Sequence, residues 1–173
     1  MAVFAASFTV AQSADCSTLT FTDTSNYVTN DQGYDITSFD TREFIVSDSN
    51  YNVVDTIALT GGALSGSYAL TADAWLNVEL SLTNVSPARS ASAVHNVLST
   101  CFLETCYAEL VAETECGCGC NGGSCSCDNT QSDKVLLLQF IKAAQIFSEY
   151  SNPVLAQKQL DAGTAVCNAN QTN

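Results

Sequence analysis

Basic residues are scarce in this chain. Of 173 residues, 5 are Lys or Arg against 18 Asp or Glu, a formal net charge of −13. Arg42, Arg89, Lys134, Lys142 and Lys158 form no cluster. Such a chain gains nothing from releasing counterions at phosphate, so no direct nucleic-acid binding is expected. Total charge is low as well: 13 % of residues, about half the share in an average globular domain. Much of the surface must therefore be Ser, Thr, Asn and Gln, or be covered by other subunits. Long apolar runs are also missing. None approaches the roughly 20 residues that a helix needs to span a bilayer, and no membrane partner is expected. The opening Met1–Ala11 is apolar enough to imitate a signal peptide but lacks the basic start of one. Its Val3, Ala5 and Ser7 alternate with Phe4, Ala6 and Phe8 as in a strand. A soluble chain without an export signal is the expectation.

Signatures of catalysis are equally sparse. The 1 histidine, His95, falls beside Asn96 in a segment that reads as helix, where a surface or capping role suits it and no hydrolase triad forms. There is no C-x-x-C at a helix start, no D-x-D-x-D-G calcium loop, no G-x-G-x-x-G and no P-loop. Asp31–Asp35 is a plain turn by the same test. A non-enzymatic protein is expected.

What the chain does have is a change of period. Up to about Val85 the period is two. Leu19 and Phe21 alternate with Thr18, Thr20 and Thr22, and Asp23-Thr24-Ser25-Asn26 then turns the chain. Thr41–Ser47 and Tyr51–Leu59 flank Asp48-Ser49-Asn50 as a hairpin, and Gly61, Gly62 and Gly66 punctuate the next connection. Trp75–Val85 is the clearest strand, with Leu76, Val78, Leu80 and Leu82 on one face; Trp75 reads as a core or core-edge aromatic. Short strands separated by turns predict an antiparallel β-sandwich of immunoglobulin-like type over residues 1–85.

Residues 86–173 read as three helices. Ser86-Pro87 resembles a cap and first turn, predicting a helix from Pro87 or Ser92 to Thr114, with Val94, Leu98, Cys101, Phe102, Cys106 and Leu110 along its apolar stripe. A second runs from Ser132 or Asp133 to Tyr150 and is apolar nearly all round. Leu137, Phe140, Ile141, Ala144 and Phe147 are therefore expected at an interface. Asn152-Pro153 opens a third, with Gly163 as a candidate stop. The fold class is α+β.

Between the first two helices lies Glu115–Asp128, which holds five of the 9 cysteines in the spacing C-x-C-x-C-x4-C-x-C. Intervening glycines let several sulfurs converge, so Cys116, Cys118, Cys120, Cys125 and Cys127 are candidate ligands for zinc or copper. Disulfides among these and Cys101, Cys106 or Cys167 are the competing reading, with reduced thiols a third, and an odd count leaves at least one thiol free or paired between subunits. Zinc is the one cofactor the sequence brings into question, and a metal-binding Cys-rich module is the alternative function. Cys16, alone in the sheet region, reads as a small buried hydrophobe. An adhesive or carbohydrate-binding role would require Tyr51, Tyr68 and Trp75 to form a shallow platform.

The opening Phe8–Tyr27, the hairpin Arg42–Leu59 and the cysteine-bearing helical tail resemble small virion structural proteins of tailed bacteriophages, most closely those of crAss-like phages. That resemblance implies a neck or tail ring or head–tail connector component, assembled in the host cytoplasm with copies of itself and other virion proteins. It implies no catalytic residue.

Overall fold

Alternation in the first half of the chain is realised as two antiparallel sheets. The computed structural model describes residues 4–27, 35–85, 88–115 and 128–171. Among these, β2 (Thr18–Asp23) pairs with β1 (Phe8–Gln12) on one side and β5 (Ser65–Ala69) on the other. The second sheet has the order β4-β3-β6-β7, from β3 (Thr41–Ser47), β4 (Val53–Ala58), β6 (Trp75–Asn84) and β7 (Arg89–Leu98). This is an immunoglobulin-like sandwich in which the fourth strand pairs with the third, as opposed to the fifth.

The inward faces supply its core. Leu19 and Phe21 from one sheet meet Phe44, Val46, Val78, Leu80 and Leu82 from the other, all at most 1 % exposed. Phe44 is central, with ring centroids 5.4 Å from Phe21 and 5.3 Å from Phe8. Each such side chain contributes about 2–3 kcal/mol by leaving water. Strands β2, β3 and β6 contain no cysteine or tryptophan at the positions that pin antibody domains, apart from Trp75 at the head of β6. Aromatic packing fills that place.

At the β3–β4 hairpin, Asp48 Oδ1 accepts the amides of Asn50 at 2.8 Å and Asn52 at 2.9 Å, and Tyr51 adopts a left-handed φ of 63°. The register then slips: Ser47 faces Val53 while Val46 faces Asp55, so Val54 is an extra, bulged residue. β5 was not foreseen. Gly66 lies inside it because a Cβ there would meet Ile57 Cγ2 at 2.5 Å.

The helix predicted to begin at Pro87 or Ser92 does not do so. Arg89–Leu98 is a strand, and α1 covers only Cys101–Glu115. Ser90, Ser92 and Val94 are exposed while Ala91 and Ala93 are half-buried, a period of two. Pairing with β6 overrides the cap-like Ser-Pro signal. α2 spans Asp128–Glu149 and α3 spans Pro153–Gln171. Asn152 caps α3 as expected, its Oδ1 accepting Leu155 N at 3.2 Å. Gly163 does not stop the helix; it lies in its interior, where a Cβ would meet Leu103 Cδ1 at 2.9 Å.

Two compact units result: Met1–Thr71 with Leu76–Val97, and Ala72–Trp75 with Leu98–Asn173. The helical core joins Leu103, Cys106 and Leu110 of α1 to Leu137, Ile141 and Ala144 of α2 and Leu160 and Cys167 of α3. Spacings of three, four and seven place each set on one helix face.

Candidate functional site

Each unit buries a carboxylate whose hydrogen bonds serve its architecture. In the helical unit the centre is Asp73. Its carboxylate accepts Leu103 N at 2.8 Å, Phe102 N at 3.1 Å and Ser99 Oγ at 2.9 Å. These are amides of the first turn of α1, which have no partner inside the helix. Thr100 completes the cap: its carbonyl accepts Glu104 N and its hydroxyl donates to Glu104 Oε1 at 2.6 Å. Burial pushes the Asp73 carboxyl above its ordinary value, against the downward pull of its hydrogen bonds. Gln157 of α3 donates to Asp73 O at 3.5 Å and accepts Trp75 N at 2.9 Å, and Trp75 Nε1 donates to Ser148 Oγ of α2 at 3.2 Å. Residues 72–75 thus reach all three helices. Trp75 is 1 % exposed, as a core aromatic should be.

In the sandwich unit, Arg42 of β3 pairs with Asp23 of β2 at 3.0 Å, both buried. The guanidinium also donates to Ala63 O at 3.0 Å and Gly61 O at 3.4 Å, and the Tyr27 hydroxyl donates to Asp23 Oδ2 at 2.7 Å. Burial, then the Asp23 bond, pushes the Tyr27 phenol up to about 12. A cleft of about 450 Å³ opens beside this cluster along Phe39, Thr41, Leu59 and Gly61. Arg42 lines it, yet its donors are directed at Asp23 and the two carbonyls.

Cys106 and Cys167 form a disulfide between α1 and α3, with Cα atoms 6.2 Å apart. Cys101 is disulfide-bonded too. Cys16 is buried, as expected, but it is also disulfide-bonded and so is no mere apolar filler. The candidate ligands Cys116, Cys118, Cys120, Cys125 and Cys127 lie outside the described residues. Among the described residues, no three His, Cys, Asp or Glu side chains converge to hold a metal. His95 sits on β7, not on a helix, and stacks on Phe8 with centroids 4.2 Å apart.

Of the five residues expected at an interface, Leu137, Ile141 and Ala144 are buried in the chain's own helical core. Phe140 and Phe147, half-buried, retain some surface. α2 needs less cover than its composition suggests because its most apolar stripe is already covered. Tyr51, Tyr68 and Trp75 form no common platform: Trp75 is buried, Tyr68 pairs with Leu19 on the inward face, and Tyr51 is exposed.

The surfaces that stand out were not marked by the residue pattern. At the β3–β4 tip the bulge leaves Val53 and Val54 61 % and 48 % exposed beside Tyr51 at 61 %. On the first sheet, the outward rows Thr9–Thr22–Ser65 and Ala11–Thr20–Ser67 form a hydroxyl and methyl face without charge, with Thr22 Oγ1 and Ser65 Oγ 3.1 Å apart. Among the described residues, no helix is long and apolar enough to cross a membrane. Comparison of the chain with protein-family models, with curated proteins and with solved structures gives no match.

Proposed function

We propose that this chain is a non-enzymatic structural protomer, one that builds a particle with copies of itself and with other proteins. The observation that carries the reading is the hairpin tip, where Tyr51, Val53 and Val54 stand together in solvent. Three neighbouring large apolar side chains are costly to expose, and the Val54 bulge lies among them. Tyrosine is a favoured residue at the centre of protein interfaces. The sparse charge of the chain fits a surface that other subunits cover.

The setting proposed is the one that the resemblance of Phe8–Tyr27 and Arg42–Leu59 implies: a tailed-phage virion, in its neck or tail ring or connector. The Cys106–Cys167 disulfide suits a particle that leaves the reducing cytoplasm after assembly. The test is the native mass of the purified chain by light scattering, repeated for Tyr51→Asp combined with Val53→Asp. Assembly by the parent and its loss in the folded variant support the reading; a parent that stays monomeric alone and with particle proteins overturns it. Detection of the chain in purified particles by mass spectrometry tests the virion setting separately.

A further inference from the structure

We infer that β7 is the edge through which two copies of this chain pair, strand against strand, about a two-fold axis. The inference rests on the proposed reading of the chain as an assembling protomer and names the contact.

An edge strand presents unpaired amides and carbonyls, and proteins normally blunt it with charge, proline, a bulge, shortness or cover. Among the described residues, the sandwich has four edge strands, and they differ in that respect. β1 and β5 are short, with 5 residues each. β4 has 6 residues, the Val54 bulge, the charge of Asp55, and Ile57 held against the backbone at Gly66. β7 has 10 residues and contains no Pro, Lys, Asp or Glu; its one charge, Arg89, is at its very start. In a chain of net charge −13, two copies repel least where neither brings a carboxylate, and β7 is the longest such stretch among the edges.

The geometry agrees. A two-fold axis makes a strand antiparallel to its own copy, which continues the antiparallel order of the β4-β3-β6-β7 sheet into an eight-stranded one. Because opposed residues share a face, the axis sets a residue opposite its own copy, and an overlap of residues 90–98 yields about nine main-chain hydrogen bonds, in the range of a whole protein–protein interface. That overlap places Val94, 53 % exposed and on the outward face, opposite Val94 of the second copy at the axis.

The position near the axis gives a sharp test, because one substitution there puts two like charges together. Sedimentation of the full chain over a range of concentrations is compared with that of Val94→Lys. The expected result is a dimer whose dissociation constant rises about tenfold or more in the variant, with thermal unfolding of the monomer unchanged. Should the variant misfold, amide exchange of the parent decides the matter: β7 amides should gain protection as concentration rises. A parent that self-associates with Val94→Lys unaffected, or with β7 exchange independent of concentration, overturns this contact and leaves the protomer reading standing. A parent that is monomeric throughout and assembles only with particle proteins also overturns the contact.

Discussion

The carboxylate of Asp73 holds the amide of Leu103, 30 positions further along the chain, at 2.8 Å. A cap usually comes from the residue next to the helix. Here residues before β6 add to the local Thr100 cap, so the first turn of α1 is fully satisfied only once Ala72–Trp75 has taken its place in the helical unit. Replacing Asp73 with Ala should cost about 2 kcal/mol in chemical unfolding, the loss of a cap plus a buried amide left unpaired.

The same residue sets a pH dependence. Its folded-state value is raised above 3.8, so the folded chain holds the proton more tightly than the unfolded chain. The stability it contributes is full below 3.8 and declines as pH rises through the folded value. Asp15 has the opposite sign. Its hydrogen bonds from Ser13 and Ser17 hold it at about 2, and its contribution is present above 3.8 and lost as pH falls toward 2. Urea unfolding from about pH 3 to about pH 7 should show the advantage of the parent over Asp73→Asn shrinking as pH rises. An advantage that grows would contradict the burial argument.

Breaking the Arg42–Asp23 pair from one side should be severe. Arg42→Met leaves a carboxylate buried without its cation, and the expected loss is about 3–5 kcal/mol. Asp23→Leu added to Arg42→Met should recover part of it, as a calorimetric comparison of the three variants would reveal. Tyr27 adds an alkaline limb: stability falls as pH rises from 10.0 to about 12, a fall that Tyr27→Phe should lack.

Gly163 faces the methyls of Leu103, which is 1 % exposed and has little room to move. Gly163→Val should cost about 2 kcal/mol through overpacking, measured as a drop in melting temperature. The cost should shrink when Leu103 is shortened to Ala in the same molecule, although that change alone is destabilising.

The Cys106–Cys167 bridge joins residues 61 apart. Replacing both with Ser should lower stability by about 2–4 kcal/mol, and a reductant, which also opens the disulfides of Cys16 and Cys101, should lower the parent at least as far. If denaturant midpoints with and without reductant coincide, the bridge contributes nothing to the folded state.

Much of the fold could be read from the residues. Leu19 and Phe21, Phe44 and Val46, and Leu76 to Leu82 alternate because one side of each strand meets the core, and Asp48 and Asn152 announce a turn and a cap by their own hydrogen bonds. β5 could not be read, because Ser65–Ala69 has Gly66 where an inward apolar side chain would normally stand. β7 was misread because Ala and Ser suit either period, and only pairing with β6 decides between them. Three of the five residues expected at an interface on α2 lie in the chain's own core for a related reason. Composition counts apolar side chains but does not say which of them the chain covers by itself, as Leu137, Ile141 and Ala144 are covered. The Asp73 cap had no local signal at all, since donor and acceptor are far apart in sequence.

One covalent link has a consequence for how the chain survives damage. Residues 106 and 167 close a ring of backbone, and the whole Cys-rich segment from Cys116 to Cys127 falls inside it. A protease that nicks that segment would divide the polypeptide without dividing the molecule. The two pieces would run together on a gel without reductant and separate with it.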